Sequence, residues 1–357
     1  MTPTERFALK IFLKKIKKYI SVYNALIIAP AFIVMILALF SVKITNDKSV
    51  AAITPTNVEI DKQGENYTFL IMGKDNAADL CDAIIIVSYD TKAQEINLLQ
   101  LPRDTYASYT SASYRKLNGA VHSLGGVDKF VDFLKENLQI EIDYYVSVDL
   151  GTIAQSIDKL GGVEVNIPED LYYNDPYQNL SINLKKGTHI LNGEQATQFL
   201  RYRSGYLRGD LGRLDAQKIF LASAMKKIIC DSDIFSLSSL ALWIIDNVET
   251  NISAEECLKL LSNLKGSSGY DIGFMTMPGE DIQTQSGAWY YIINREEAYN
   301  LIKKYFSPKL EKKDFDKNKI FTSKYQQSFN RIYEAEGAYK TERYTAEEIY
   351  RDGINID

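Results

Sequence analysis

An uncharged run over residues 19–42 constrains this chain more than any other feature of its sequence. The run is 24 residues long. As a helix it would extend about 36 Å, which is enough to cross the hydrocarbon core of a bilayer. Six basic residues and one acidic residue stand in the first 20 positions, while Lys43 stands alone directly after the run. Because positive charge stays in the cytoplasm, the sequence predicts a cytoplasmic tail over 1–18, a transmembrane helix over 19–42 and an extracytoplasmic remainder.

Two alternatives to a membrane anchor can be weighed for this run. A cleaved signal peptide needs small residues before its cleavage site, and Ala38, Leu39 and Phe40 are a poor match. A buried helix of a soluble domain does not explain the basic flank. The sequence therefore predicts an uncleaved signal anchor, which places the protein at a cell membrane in a single pass.

The composition predicts a folded and mainly acidic protein beyond the anchor. Hydrophobic residues make up 46% of the 357 residues, which is enough for a sizeable core. The net charge is −5 although the N-terminus is basic, so the remaining chain is acidic and nucleic acid is not an expected partner. The three cysteines are too scattered for a disulfide framework or a zinc site. Neither of the two histidines stands in a nucleophile motif, which argues against Ser-His-Asp or Cys-His catalysis.

Beyond a polar linker over 43–65, short apolar segments alternate with amphipathic ones. This alternation predicts an α/β sandwich over 66–306. Strands are expected at residues 67–72, 83–89, 96–101, 143–148, 163–167, 273–277 and 290–293. Helices are expected at residues 126–138, 152–160, 193–202, 210–229, 237–248, 254–264 and 296–305. Residues 169–187, rich in Tyr, Asn and Asp, predict a long loop, and residues 307–357 predict a charged, loosely packed and partly helical extension.

Two aspartates stand at strand ends that are expected to face the same edge of the sheet. Asp75 follows the first predicted strand, and Asp82 directly precedes the second. Mg²⁺ is commonly held by one or two carboxylates together with substrate phosphates, so both residues are candidate metal ligands. The alternative is that they only end strands or cap turns.

Arg103 and Asp104 directly follow the third predicted strand, with Pro102 stiffening the turn before them. The ends of strands are where α/β folds tend to bind ligands. A surface ion pair between the two side chains is the alternative, and the sequence does not decide between them.

A second segment concentrates arginines around the start of a predicted helix. It contains Arg201, Arg203, Arg208, Asp210, Arg213 and Gln217. Guanidinium groups match phosphate oxygens two at a time and stay charged at any relevant pH. The segment therefore predicts a site for a strongly anionic group such as a diphosphate.

The spacing within this segment supports the same prediction. Asp210, Arg213 and Gln217 fall at i, i+3 and i+7, and therefore lie on one face of a helix. Asp210 stands at the predicted helix N-terminus, where an acid is favoured and a phosphate can bind. Arg201 and Arg203 are two positions apart and converge only where a helix ends. The alternative is a solvated pair of helices joined by salt bridges.

Together these segments resemble the LytR-CpsA-Psr family of bacterial cell-envelope proteins. The similarity extends from about Tyr67 to Ile229 and continues more weakly to about Tyr305. The matching pieces are Gly73-Lys74-Asp75-Asn76, Asp82, Leu101-Pro102-Arg103-Asp104-Thr105, Lys116-Leu117-Asn118, Gly125-Gly126, Asp143-Tyr144-Tyr145, Leu160-Gly161-Gly162-Val163, Leu191-Asn192-Gly193-Glu194-Gln195-Ala196, the arginine segment and Met277-Pro278-Gly279-Glu280. Their order and spacing are more specific than any single motif.

The resemblance implies a fold, an activity and roles for the candidate residues. The fold is an α-β-α sandwich with a central mixed sheet and a groove for a lipid tail. The activity is transfer of a glycopolymer, of the wall teichoic acid or capsular polysaccharide type, from a polyprenyl diphosphate carrier onto peptidoglycan in a Gram-positive type of envelope. Asp75 and Asp82 would bind Mg²⁺. The residues expected to clamp the diphosphate are Arg103, Arg201, Arg203 and Arg213, with Gln217 in support. Asp104 would orient Arg103 or accept the proton of the acceptor hydroxyl.

The chain departs from the family pattern at three places. Leu80 stands where an arginine is expected, Asn76-Ala77 lacks another, and Ala216-Gln217-Lys218 replaces the usual Arg-Gln-Gln. Each lost charged contact is worth about 1.5–3 kcal/mol. Arg208, Arg115 and Lys116 are candidates to compensate. The departures keep two rivals open beside the transferase: a non-catalytic membrane anchor that binds a polyprenyl phosphate or glycan, and a hydrolase of the lipid diphosphate.

Overall fold

The computed structural model describes residues 66–75, 80–107, 116–175, 180–232, 234–257, 260, 269–283, 287–316 and 343–354. The predicted cytoplasmic tail, transmembrane helix and linker, residues 1–65, lie outside this part of the chain. Within the described part, no helix combines the length and the apolar character needed to cross a membrane.

The described strands and helices alternate along the chain. The strands are β1 (Asn66–Asp75), β2 (Leu80–Asp90), β3 (Glu95–Gln100), β4 (Tyr144–Asp149), β5 (Val163–Ile167), β6 (Leu171–Asp175), β7 (Leu180–Leu184), β8 (Gly187–Leu191), β9 (Glu249–Thr250), β10 (Asp271–Thr276), β11 (Gly279–Gln283), β12 (Trp289–Ile293) and β13 (Tyr344–Thr345). The helices are α1 (Ala120–Leu124), α2 (Val127–Leu138), α3 (Leu150–Lys159), α4 (Gly193–Arg201), α5 (Asp210–Lys226), α6 (Ile234–Ile245), α7 (Arg295–Tyr305), α8 (Lys312–Phe315) and α9 (Ala346–Asp352).

Seven strands form one mixed sheet in the order β13-β10-β3-β2-β1-β4-β9. β1, β2 and β3 make an antiparallel meander, while β4 pairs parallel to β1 and β10 pairs parallel to β3. Three two-stranded sheets, β5-β8, β6-β7 and β11-β12, accompany it. The predicted mixed central sheet is confirmed.

Both faces of this sheet are covered, because its central strands are apolar on both sides. In β1, Phe69 and Ile71 join one buried cluster, while Leu70 and Met72 join the other. Helices α3, α5 and α6 contribute to the first cluster, and helices α2 and α7 contribute to the second. Burial on two faces is what a continuous apolar strand requires. The result is the predicted α-β-α sandwich.

Helix α5 is buried nearly all round rather than along one stripe. From Gly212 to Met225 every residue is buried, and the helix lies against β5, α4 and α9. A helix with partners on all sides needs no polar face. The predicted stripe of apolar residues therefore describes only part of its packing surface. The charged side chains of α5 must find partners inside the protein.

The long loop predicted over 169–187 is wrong. The segment contains the hairpin β6–β7 and the first residue of β8. In β7, Leu180, Ile182 and Leu184 are buried while the two residues between them are exposed. This alternation is the signature of a half-buried strand. The many Tyr, Asn and Asp residues on the exposed side obscured it.

The C-terminal extension also packs more closely than the sequence suggests. Its described residues form α8, then β13, which pairs with β10 at the sheet edge, and finally α9. Arg343 Nε donates to Asn97 Oδ1 at 3.0 Å, and Arg343 Nη2 lies 2.9 Å from Asp271 Oδ2. Leu310 and Phe315 are buried in the core. The packed fold therefore continues beyond residue 306.

Candidate active site

A β-bulge positions Asp82. The pairing register of β1 and β2 shifts between Gly73 and Lys74, so Asp82 is the extra residue on β2. Bulges redirect a side chain that would otherwise follow the pleat. The Asp82 side chain is fully buried, and its Oδ1 accepts a hydrogen bond from Arg103 Nη1 at 2.8 Å.

Asp75 ends β1 and pairs with Leu80, close along the ladder to the bulge that carries Asp82. The side chain of Asp75 lies outside what the structure describes. The two predicted metal ligands thus stand at the same end of the β1–β2 hairpin. Asp82 is already engaged by an arginine.

A β-turn presents Arg103 and Asp104. The Thr105 amide donates to the Pro102 carbonyl at 2.9 Å, which places Arg103 and Asp104 at the two central turn positions directly after β3. Arg103 is only 3% exposed, so the interpretation as a surface ion pair is wrong for its guanidinium. Asp104 Oδ1 lies 2.9 Å from Lys116 Nζ and 4.0 Å from Arg103 Nε. This geometry favours an orienting role for Asp104.

The arginine segment changes direction where the sequence predicts. Helix α4 begins at a capping box formed by Asn192 and Gln195 and ends at Arg201, because Tyr202 is extended. Arg201 is half-buried, and Arg203 is exposed two residues later. Gly209, with a φ of 57°, then turns the chain into α5. The helix end predicted between Arg201 and Arg203 is confirmed.

Asp210 joins the two candidate segments. It is the first residue of α5, and its Oδ2 accepts a hydrogen bond from Arg213 Nη2 at 3.0 Å. Its Oδ1 lies 3.9 Å from Arg103 Nε. Arg213 is fully buried, so the solvated helix pair is wrong. Segments about 100 residues apart therefore share one buried charged site.

The charges at this site act strongly on one another. Burial acts to raise the pKa of Asp210, but the neighbouring cations outweigh it and lower that pKa to about 2. Burial acts to lower the pKa of Arg103, but the surrounding aspartates raise it above its ordinary value. Burial is the largest influence on Arg213 and lowers the pKa of its guanidinium. Arg203 also acts on Asp210 and Arg213 through its charge. We call this set the arginine cluster: Asp82, Arg103, Asp104, Lys116, Arg203, Asp210 and Arg213.

Gln217 lies one turn beyond Arg213 on α5. Its Oε1 accepts a hydrogen bond from Gln100 Nε2 at 3.3 Å, and Gln100 Oε1 accepts one from Thr276 Oγ1 at 3.3 Å. The Gln217 Nε2 atom is buried without a hydrogen-bond partner in the described part of the chain. Buried amide donors are nearly always paired, so this nitrogen is a candidate donor to a bound anion.

Arg208 belongs to a different set of charges. Its Nη1 lies 2.8 Å from Asp215 Oδ2, and Lys218 Nζ lies 2.7 Å from Asp215 Oδ1. The Lys218 ammonium also lies 5.6 Å from the centre of the Tyr344 ring. We call Arg208, Asp215 and Lys218 the Asp215 network. The expectation that Arg208 compensates for missing arginines finds no support in this ion pair.

The structure shows where the residues that depart from the family pattern lie. Leu80 is half-buried at the start of β2, and Ala216 is fully buried in α5, where an arginine side chain would need new space. Lys218 is held by Asp215. The altered residues on α5 thus belong to its packing and to the Asp215 network.

Sequence reasoning missed two acids near the cluster. Asp215 stands in the middle of α5, where its only signal was the lysine three residues later. Asp281 stands on β11, a strand that was not predicted, directly after the matching segment 277–280. Its charge couples to Asp210, Asp104, Arg203 and Lys116.

The fit of a metal ion to these residues is partial. Among the residues that the structure describes, no group of three or more His, Cys, Asp or Glu side chains is arranged to hold one. Mg²⁺ requires only one or two carboxylates when substrate phosphates supply further ligands. Asp82, on the hairpin shared with Asp75, is compatible with that mode of binding.

Comparisons with known proteins identify a family and individual proteins that this chain resembles. Residues 33–307 match the model of the LytR_cpsA_psr family. The chain is 33% identical over 256 residues to the polyisoprenyl-teichoic acid–peptidoglycan teichoic acid transferase TagV of Bacillus subtilis, a match that covers 69% of this chain and 65% of TagV. It is 30% identical to the TagU transferase of Oceanobacillus iheyensis, covering 67% of this chain and 75% of TagU.

Solved structures give the same result at the level of the fold. The crystal structure of B. subtilis TagV superposes with a TM-score of 0.59 and 30% identity, covering 73% of this chain and 99% of that one. A structure of TagT bound to LIIa-WTA superposes with a TM-score of 0.54 and 23% identity, covering 75% and 94%. The second likeness shows the fold alone.

Proposed function

Because the chain belongs to the LytR-CpsA-Psr family, we propose that it transfers a glycopolymer from a polyprenyl diphosphate carrier onto peptidoglycan. The glycopolymer is of the wall teichoic acid or capsular polysaccharide type. The new bond is a phosphodiester to a sugar hydroxyl. The relatives with the names of teichoic acid transferases support this reaction.

One observation carries the proposal: two buried guanidinium groups from distant segments meet around one aspartate. Arg103 and Arg213 both approach Asp210, at 3.9 and 2.9 Å. Burying cations is unfavourable unless their charge is matched. The partial match by aspartates leaves the Arg103 Nε buried without a hydrogen bond in the described part of the chain. An anion with several oxygens, such as a diphosphate, satisfies such donors.

The chemistry that these residues perform is positioning and charge stabilisation. Phosphoryl transfer places negative charge on the phosphoryl oxygens and on the leaving group, and fixed donors in a site shielded from water stabilise both. Arg103 and Arg213 are held in place by aspartates, so they lose little freedom when the donor binds. Arg203, which is exposed, is positioned to meet the diphosphate as it enters. Gln217 offers its buried amide from the next turn of α5.

A Mg²⁺ ion is part of this proposal, with Asp82 and Asp75 as its protein ligands. When bound, the ion supplies additional neutralisation of the phosphate oxygens. The location at a cell membrane is likewise proposed, from the uncharged run over residues 19–42 and its basic flank.

A second function is favoured by the missing arginines. Leu80 occupies the start of β2, where the family pattern has a charged contact, and it lies two residues from Asp82. A site with fewer phosphate contacts binds a polyprenyl diphosphate without accelerating its transfer. The chain would then be a membrane-anchored binding protein. A hydrolase that releases phosphate from the carrier is the remaining rival.

One assay separates these functions. The full chain, reconstituted in liposomes, is supplied with Mg²⁺, a short-chain polyprenyl-diphosphoryl sugar and a peptidoglycan oligomer. Joined product supports transfer, free phosphate without joined product supports hydrolysis, and donor retention without turnover supports the binding protein. Arg351→Ala is the matched control, because that arginine is exposed and its ion pair in the described part of the chain is with the adjacent Asp352.

A further inference from the structure

The proposed transfer leaves one task without a residue, which is removal of the proton from the attacking hydroxyl. The acceptor oxygen loses this proton as it bonds to phosphorus. A positioned carboxylate accepts the proton best when its pKa lies near the working pH. Four aspartates lie in or beside the arginine cluster: Asp82, Asp104, Asp210 and Asp281.

Cations already contact three of these four aspartates directly. Asp82 is fully buried and bound by Arg103 at 2.8 Å. Asp104 lies 2.9 Å from the Lys116 ammonium. Asp210 is held by Arg213, and its pKa is lowered to about 2. A carboxylate whose charge is matched by an adjacent cation gains little from taking up a proton.

The β11–β12 hairpin places the fourth aspartate at the rim of the cluster. Asp281 on β11 pairs directly with Tyr291 on β12. The Tyr291 amide donates to the Asp104 carbonyl at 2.9 Å, and the Tyr106 amide donates to the Tyr291 carbonyl at 2.9 Å. The hairpin is therefore fastened along the segment that carries Arg103 and Asp104. Asp281 lies on β11, which is separated from the segment of Arg103 and Asp104 by β12.

The surroundings of Asp281 differ from those of the other aspartates. The residue retains exposed surface on β11, although protein atoms surround much of its carboxyl group, and it forms no ion pair within the described part of the chain. Desolvation of the carboxyl, followed by the negative charges of Asp210 on α5 and Asp104 after β3, raises the pKa of Asp281 to about 6. The cations facing it, Arg203 and Lys116, counteract only part of this shift.

We propose that Asp281 is the general base of the transfer, acting on the hydroxyl of the incoming glycan acceptor. This inference rests on the proposed function. Its geometric basis is a solvent-accessible carboxylate, without an ion pair in the described part of the chain, that the hairpin holds beside a site whose other acids are paired with cations.

The step balances without a further reactant. The acceptor oxygen bonds to the phosphorus that carries the glycopolymer, and its proton goes to the Asp281 carboxylate. The bond between that phosphorus and the bridging oxygen of the diphosphate breaks, so polyprenyl phosphate leaves with that oxygen. Asp281 then releases its proton to water.

The test compares the wild type with three variants of the full chain in the transfer assay across pH 4.5 to 8. For the wild type, kcat rises with pH through an apparent pKa of about 6 and then levels off, because the unprotonated carboxylate is the active form. Asp281→Asn lowers kcat by about 10²–10⁴-fold, removes this acid limb and leaves the KM for the donor unchanged. Asp281→Glu restores part of the rate. Glu280→Gln, on the neighbouring position of β11, keeps both the rate and the limb.

The outcomes separate this inference from the function on which it rests. If the wild type forms joined product and Asp281→Asn keeps its rate and its acid limb, the base assignment is wrong while the transfer stands. If the wild type forms no joined product at any pH, both fall together. A variant that raises only the KM for the donor would assign Asp281 to donor binding and overturn its role as a base.

Discussion

Two buried groups of charges lie on the same helix and are built differently. In the Asp215 network one carboxylate meets two cations directly, at 2.8 Å from Arg208 and 2.7 Å from Lys218. The arginine cluster also contains short pairs, such as Arg103 with Asp82 at 2.8 Å, but Arg103 Nε stands 4.0 Å from Asp104 and 3.9 Å from Asp210. Each group contains fully buried charges: Asp215 and Lys218 in the first, and Asp82 and Arg213 in the second. In the arginine cluster, Arg103 Nε is also buried without a hydrogen bond among the described residues.

This difference separates charges that support the fold from charges that can act on a ligand. A carboxylate that binds two cations at short distance has used its capacity, so the Asp215 network fixes α5 in place. A looser arrangement keeps donors directed at a common point and gains when an anion arrives. Stored, preorganised charge of this kind is the largest single contribution in many catalytic sites. The comparison predicts that substitutions in the Asp215 network mainly lower stability, whereas substitutions in the arginine cluster lower activity.

The largest effect is expected for Arg213→Ala, which should damage both function and fold. Loss of this fixed donor lowers kcat by about 10²–10³-fold. It also leaves Asp210 buried with one cation fewer, a loss of about 3–5 kcal/mol in the free energy of unfolding. Transfer kinetics and denaturant unfolding measure the two losses. Arg213→Lys keeps the positive charge but lacks the paired N–H donors of the guanidinium group. It should therefore recover the free energy of unfolding more fully than kcat.

Asp215→Ala should lower the stability of the fold and leave catalysis nearly unchanged. The substitution removes the carboxylate that pairs with the buried Lys218 ammonium and should lower the free energy of unfolding by about 3–5 kcal/mol. Measured at a temperature where the variant is folded, kcat should stay within a few-fold of the wild type. A fall in kcat as large as that of Arg213→Ala would erase the distinction between the two groups. The double variant Asp215→Leu with Lys218→Met should regain stability.

Arg203→Ala should affect function alone. Because this arginine is exposed, its removal changes the free energy of unfolding by less than about 0.5 kcal/mol. Loss of its contact with the entering diphosphate should lower kcat/KM about 10-fold. Titration of the donor and a thermal melt give the two numbers. An unchanged kcat/KM would remove Arg203 from the site.

The acid dependence of stability provides a finer test. Asp210 has a pKa lowered to about 2 in the folded protein, below its ordinary value of 3.8. It therefore stabilises the fold above about pH 4, and this contribution is lost as the pH falls through 2. Asp210→Asn should flatten the decline of stability between pH 4 and 2. Unfolding by urea at each pH in that range measures it, and a parallel decline in both proteins would contradict the prediction.

Tyr344→Leu should have the smallest effect. The ring of Tyr344 lies over the Lys218 ammonium at 5.6 Å, an arrangement worth about 0.5–2 kcal/mol. The variant should lower the midpoint of thermal unfolding slightly and leave kcat unchanged. Tyr350→Leu, whose ring lies 4.3 Å from Lys226 outside the network, is the matched control.

The sequence predicted the parts of the site that depend on local geometry. The spacing of Asp210 and Arg213 fixes one helical face, and the helix ends after Arg201 as expected. The capping box at Asn192 sets the start of α4. Each of these signals is confined to a few neighbouring residues. Such signals survive folding because no distant contact competes with them.

The parts that failed depend on distant partners. Arg208 pairs with Asp215 because α5 is enclosed on all sides, which no spacing reveals. Asp82 is directed inward by a change of register, which depends on the pairing of two strands. Asp281 comes near the cluster only because Tyr291 bonds to the backbone of Asp104. Pairings of this sort become visible only in three dimensions.

The position of β13 has a consequence for biosynthesis. This strand pairs with β10 at the outer edge of the central sheet, although it follows β10 in the chain only after β11, β12, α7 and α8. Until β13 emerges, the β10 edge offers unpaired backbone groups to any other nascent chain. A product truncated before residue 343 would carry the complete arginine cluster but would expose an unpaired edge strand that promotes aggregation. Removal of the chain from residue 343 onward should therefore yield aggregates rather than a shortened, working enzyme.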